Sequence, residues 1–340
     1  MSPGRSSAVK FVQDAQGPGE PRCGDGASDL CRAVPVVRVH GTGLGGRMHT
    51  TATAAATPPT VSLTDSAAGW WEFVRSAPGS RLSGLVAGRC GYRERAQTSV
   101  RRRLAATSLI PVILSFGERL EVEEIADGQG AGRSYESLVA GFQPGRALTR
   151  FTGSQFALNL YLTPLGVYRI LGIPGSALAW GVHDLEDVAP NLASLPDRLA
   201  SLRTWSERFA VVDEALARMA DRGPEPDPLV DWVWHRLQAS GGRVRVSDLV
   251  AKSGWSHRHV ISRFRDQIGV TPKVAASVIR FERAATALSS KQSSLAGVAV
   301  AYSYADQSHL TREFARFAGD TPAAYAASYH PSASGAVGQL

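Results

Sequence analysis

Cysteine is scarce: Cys23, Cys31 and Cys90 are all that 340 residues contain. Three thiols exclude a disulfide-stapled scaffold and a four-thiolate zinc site, and they fit a reducing compartment. No stretch approaches the roughly 18 consecutive apolar residues of a membrane span, and the N-terminus lacks the apolar core of a signal peptide. A cytoplasmic protein without membrane contact is expected. The sequence also has no G-x-S-x-G, H-E-x-x-H or Walker segment, so no catalytic residue, cofactor or metal is expected.

Hydrophobic residues at 44% and charged residues at 20% lie close to globular averages. The length exceeds one ordinary core and predicts two folded domains. The net charge of +7 invites a polyanionic partner, and its distribution sharpens that expectation. Residues 241–330 hold 12 of the 37 Lys and Arg but 6 of the 30 Asp and Glu. The rest of the chain carries 25 basic and 24 acidic groups and is nearly neutral.

Residues 1–60 are rich in Gly, Pro, Ser, Thr and Ala and read as a disordered leader, with Met48 as an alternative start. Residues 61–223 read as a β-rich domain ending in helices. Its strand-like runs include Leu109–Phe116 and Phe156–Leu162; one helix falls near 165–172, and apolar spacing predicts another from Leu195 to about Ala220. The segment Asp221–Pro228, with three prolines and a glycine, marks a boundary. Residues 227–330 read as an all-α domain and 331–340 as a flexible tail. The fold class expected is α+β.

Three motifs have bland readings that outweigh the sharp ones. Gly41–Gly46 fits G-x-G-x-x-G, but no amphipathic helix follows to receive a pyrophosphate. Arg101-Arg102-Arg103 reads as a solvated loop, and His183, Asp184, Glu186 and Asp187 as a surface cluster without a second His at ligand spacing.

The informative signal is an internal repeat. Gly269-Val270-Thr271-Pro272 recurs as Gly319-Asp320-Thr321-Pro322, and upstream Gly254-Trp255 matches Ser303-Tyr304, while Val260 and Phe264 match Leu310 and Phe314. The offset slips from 49 to 50 only inside a turn, where insertions are tolerated. Each unit parses as helix, turn, helix. Ser247 caps the first helix, Gly254 makes the turn and Ser256 caps the second; in the repeat, Ser294, Ser303 and Asp306 take these places. Thr271-Pro272 and Thr321-Pro322 each start a helix, the first being a long connector over 272–288. With Val260, Phe264 and Ile268 inward, Arg258, Ser262 and Arg265 face outward. With Leu310, Phe314 and Phe317 inward, Gln307, Ser308, Thr311 and Arg312 do so. Arg reads guanine and Gln reads adenine bidentately, so these faces suit the major groove of double-stranded DNA.

At Leu249–Ala284 and Ser294–Tyr325 the sequence resembles the DNA-binding domain of AraC/XylS-type transcription regulators. The resemblance implies a base-reading role for Arg258, Ile261 and Ser262 in the first unit and for Gln307, Ser308, Thr311 and Arg312 in the second. Three places depart from the pattern: Ser262 stands where the family often has Arg, Ser303 where it usually has Gly, and Ala275-Ala276 where an aromatic often follows the first Thr-Pro. Either Ser303 takes a positive φ at a cost of about 1 kcal/mol, or the turn differs. Gly141–Gly145 and Leu162–Gly172 more loosely resemble the sensor regions of such regulators. The resemblance implies transcription activation with RNA polymerase as a partner, and control by a small-molecule effector or by self-association, for instance as a homodimer; no effector-binding residue is named. Two alternatives stand beside it: a DNA-tethered repair-type enzyme, which needs a reactive metal-bound cysteine in a cluster, and a DNA-binding regulator with no ligand.

Overall fold

The structure is a computed structural model and describes residues 60–66, 69–126, 128–289, 294–328 and 337–339. The leader expected over 1–60, including Met48 and the Gly41–Gly46 motif, lies outside the described residues apart from Thr60. The order of elements is β-rich, then helical, the α+β arrangement expected.

The sheet is built around two long strands, β3 (Val86–Leu104) and β8 (Ala147–Leu162), paired antiparallel. β1 (Thr60–Ser66) and β2 (Gly69–Ser76) extend it beyond β3. The other edge of β8 is shared: its end at Ala157–Leu162 pairs with β4 (Ile110–Ser115), its start at Ala147–Arg150 with β5 (Leu120–Ile125). Short strands β6 (Arg133–Tyr135), β7 (Leu138–Ala140) and β9 (Val182–Asp184) complete it. The alternation along β8 is physical: Leu158, Leu160 and Leu162 project to one face and are all fully buried. Each contributes about 1.5–3 kcal/mol by leaving water.

Helix α1 (Pro164–Leu171) falls where a helix was expected, capped by Thr163 and closed by left-handed Gly172. Short helices α2 (Gly175–Leu178) and α3 (Leu185–Val188) follow. The single helix expected from Leu195 to Ala220 is instead two, α4 (Leu195–Ser201) and α5 (Trp205–Arg222). The break is a capping box: Thr204 Oγ1 accepts from the Glu207 amide at 3.2 Å, and the Glu207 carboxylate accepts from the Thr204 amide at 2.8 Å. Helix α5 buries Phe209, Val212 and Leu216, and β3 holds it through Arg89, which pairs with Asp213 and donates to Phe209 O at 3.1 Å.

The arginine triplet is not a loop: Arg101, Arg102 and Arg103 lie in β3, where they pair with Glu123, Glu94 and Asp320. The His183 cluster lies on β9 and α3: Glu186 and Asp187 are exposed, Asp184 pairs with Arg133 at 2.8 Å and His183 Nε2 lies 3.2 Å from Leu178 O.

The helical part comprises α6 (Pro228–Ala239), α7 (Val246–Ser253), α8 (His257–Ile268), α9 (Pro272–Ser289), α10 (Leu295–Ala301), α11 (Gln307–Ala318) and α12 (Pro322–Ser328). Within the segment read as a tail, Val337–Gln339 forms β10, paired antiparallel with β3 at Arg102–Leu104. That pairing extends the sheet. One continuous apolar core runs from Val74 of the sheet to Tyr325 of α12.

Candidate nucleic-acid interface

Two helix-turn-helix units, α7–α8 and α10–α11, flank the connector α9. In the first, Ser256 Oγ accepts from the His259 amide at 3.3 Å and starts α8. In the second, Asp306 Oδ1 accepts from the His309 amide at 2.6 Å and starts α11. The inward stripes are closed to water: Val260, Phe264 and Ile268 on α8, and Leu310, Phe314 and Phe317 on α11, are each at most 1% exposed. The connector supplies Phe281, whose ring lies 4.9 Å from that of Phe314 and 5.3 Å from that of Phe317.

On the opposite faces Arg258, Ser262, Arg265, Gln307, Ser308 and Arg312 are exposed, while Ile261 and Thr311 are half-buried. Thr311 Oγ1 donates back to Gln307 O at 2.9 Å, so its hydroxyl offers a partner only its lone pairs. The first helices differ at their starts. Ser294 caps α10 by accepting from Gly297 at 3.1 Å. In unit one Ser247 does not cap: α7 begins at Val246, with Arg245 in the cap position and no side-chain acceptor there.

The turns differ in residue and agree in geometry. Gly254 ends α7 at φ 71°, and Ser303 takes φ 58° after α10. Around Ser303 the Tyr304 amide donates to Ala299 O at 2.9 Å and the Ser303 amide to Val300 O at 3.2 Å. This double closure is the Schellman pattern, which places a left-handed residue where Ser303 stands.

Both units are seated on the N-terminal part at the far ends of α8 and α11. At the end of α8, Gly175 of α2 lies so close that a Cβ on it would meet Gln267 O at 2.6 Å, and one on Gly269 would meet Gly175 O at 2.6 Å. At the end of α11 the contacts are polar. The Ala106 amide donates to Phe317 O at 2.8 Å, and Arg103 pairs with Asp320 at 2.7 Å. Nearby, Glu282 of α9 accepts from Thr107 Oγ1 at 2.7 Å and from the Ser108 amide at 2.8 Å. Burial pushes the Glu282 carboxyl above the usual range, outweighing these donors, which favour the anion.

The connecting segment is pinned as well. Asp227 caps α6 by accepting from the Leu229 amide at 2.8 Å and pairs with Arg263 of α8 at 2.7 Å. Burial raises its carboxyl, but Arg263 and the helix-start amides together hold it below the usual range. In unit two, Arg280 pairs with Glu313 at 3.0 Å and its guanidinium lies 5.0 Å from the centre of the Tyr304 ring, whose phenol burial pushes up.

The sequence profile of a helix-turn-helix domain family matches residues 249–328, the two units and their connector. This segment is an AraC-type DNA-binding domain. The match covers about a quarter of the chain. No curated protein sequence matches it. Among solved structures it is similar to ToxT from Vibrio cholerae O395, at 11% identity and a TM-score of 0.41 over 67% of this chain and 95% of that one. A second ToxT structure from Vibrio cholerae pairs at 12% identity and 0.43, over 70% and 97%. The AraC-like transcriptional activator CuxR pairs at 13% identity and 0.26, over 67% and 86%. Scores this low leave the description of the fold to the geometry above.

Sequence reasoning missed three parts of this AraC-type domain's setting. Helix α6 carries Val230, Val233, Trp234 and Leu237 into the core, and its apolar spacing after Asp227-Pro228 was available as a signal. The seat of α8 on Gly175 and the Glu282–Thr107 contact join residues about 90 and 175 apart in the chain. Nothing local announces such pairs.

Proposed function

We propose that this chain is a DNA-binding transcription regulator of the AraC type that binds DNA in a sequence-specific way as a two-unit reader, α8 and α11 each entering one of two successive major grooves on one face of the duplex. The supporting observation is the disposition of the helices: both have closed apolar stripes and C-terminal ends seated on the sheet-bearing part, with polar faces left to solvent. In this reading Arg258, Ile261 and Ser262 meet bases from α8, with Ile261 limited to apolar contact with a thymine methyl. Gln307, Ser308, Thr311 and Arg312 meet them from α11, with Arg312 paired to guanine. Arg265, farther along α8, touches phosphate.

The domain boundaries we assign are 61–223 for the β-rich regulatory domain and 227–330 for the DNA-binding domain. Control passes through the former, by a small-molecule effector or by self-association, and RNA polymerase is the partner in transcription.

The test is selection of bound duplex from a random pool by the full chain, followed by footprinting. Two protected major-groove segments centred about 10 bp apart are expected. Protection of one segment alone would overturn the two-unit reading. Ligand-induced melting shifts and sedimentation then separate effector control from self-association, since an effector at about 100 times its dissociation constant adds roughly 2.7 kcal/mol.

A further inference from the structure

The internal repeat pairs Trp255 with Tyr304, yet the two aromatic residues are treated in opposite ways. Tyr304 is 6% exposed, packed beneath Arg280 and edge-on to His309 at 5.2 Å. Trp255 is 55% exposed. One face of its indole stacks on the His259 ring at 4.4 Å with an interplanar angle of 19°, leaving the other unstacked.

Its position suggests what covers that face. Trp255 immediately precedes Ser256, the cap of α8, and residues 254–258 are all exposed. The first turn of α8 holds no acidic residue, and Lys252, His257 and Arg258 surround the indole in sequence. An indole combines a large apolar face with one N–H donor, which suits a surface that is part hydrocarbon and part anion. A deoxyribose with its phosphate is such a surface.

We propose that the open face of Trp255 packs on a deoxyribose of the duplex bound by α8, with its Nε1–H donating to the adjoining phosphate. His259 holds the ring in place from behind, so little side-chain freedom is lost on binding. The first unit thus spends on the DNA strand the aromatic residue that the second unit spends on its own core. This inference rests on the DNA-binding reading above and adds a backbone contact to its base contacts.

The experiment uses the full chain with a duplex recovered by selection and with a random-sequence duplex. Trp255→Ala should weaken both roughly tenfold, because a sugar contact carries no sequence information. Since indole is uncharged, the slope of affinity against salt should stay unchanged. Trp255→Phe should recover most of the affinity. The change in tryptophan emission on adding duplex should be smaller in Trp255→Phe than in the parent.

Unchanged affinity in Trp255→Ala, or an emission change independent of position 255, would overturn the proposal. So would full DNA binding with loss of transcription by added RNA polymerase, which would assign the face to the polymerase. If Trp255→Ala also lowers the melting temperature, the emission difference decides. A parent chain that binds no duplex overturns the functional reading itself and is distinguishable from all of these.

Discussion

The left-handed serine at the second turn can be tested in both directions, because its counterpart is a glycine in the same conformation. Ser303 has φ 58° and Gly254 has φ 71°. An L-residue in the left-handed region costs roughly 1–2 kcal/mol, and glycine is free of that cost but has more unfolded-state entropy to lose. Allowing for the entropy, Ser303→Gly should stabilise by about 0.5–1 kcal/mol. The reciprocal change, Gly254→Ala, is sterically clean, since a Cβ there would meet nothing within 4 Å. It should therefore destabilise by about 1 kcal/mol through backbone conformation alone. With a urea slope of about 1–3 kcal/mol per molar, the midpoints should move by roughly 0.2–1 M, upward for Ser303→Gly and downward for Gly254→Ala. Urea unfolding of the full chain followed by helical circular dichroism reads both. A midpoint that falls in Ser303→Gly with unchanged slope would refute the argument, because glycine's entropy would then outweigh any relief of strain.

Replacing Arg312 with Ala should weaken binding to the selected duplex by about 1–3 kcal/mol and relax preference at one base pair, as read by competition with single-base variants. Arg265→Ala should weaken all sequences alike and lower the salt slope by about one. Glu282 has a folded-state pKa above its unfolded value, so its ionisation opposes folding. Stability should fall as pH rises from the ordinary carboxylate range through the raised value; Glu282→Gln should flatten that dependence in melting temperatures measured across pH. Gly175→Ala drives a methyl into the backbone of α8 and should cost about 1–3 kcal/mol by thermal unfolding. Arg103→Ala breaks a partly exposed pair with Asp320 and a 3.3 Å bond to Gly319 O, both open to replacement by water, and should leave the melting temperature within about a degree or two.

What was legible in the sequence was local or periodic. The apolar stripes Val260–Phe264–Ile268 and Leu310–Phe314–Phe317 follow from helical spacing, and the caps at Ser256 and Asp306 follow from residue type. Duplication made the second unit readable from the first. The errors have local physical causes too. At Ser247 a good capping residue sits one place inside a helix that begins earlier, and at Thr204 a capping box interrupts apolar spacing that reads as continuous. The arginine triplet looks like a loop because charge discourages burial. Opposing carboxylates at Glu123, Glu94 and Asp320 make a strand acceptable there, and two of these lie on other elements.

The interface between the two parts was illegible because it depends on residues that carry no chemical signal alone. A glycine at 175 reads as a helix start, and its role is visible only when Gly269, which closes α8, arrives against it. The two seats are of different physical kinds. Backbone lies against backbone at the end of α8, so any separation there loses close packing at once, with no side chain able to follow the gap. At the end of α11 the Ala106 amide bonds Phe317 O beside the side-chain pair Arg103–Asp320, whose partners water can replace at small net cost. Close packing is therefore lost sooner by separation at the end of α8 than at the end of α11. A change in the sheet that reaches Arg103 along β3 should act on α11 through Asp320 before it acts on α8, altering the spacing between the two helices.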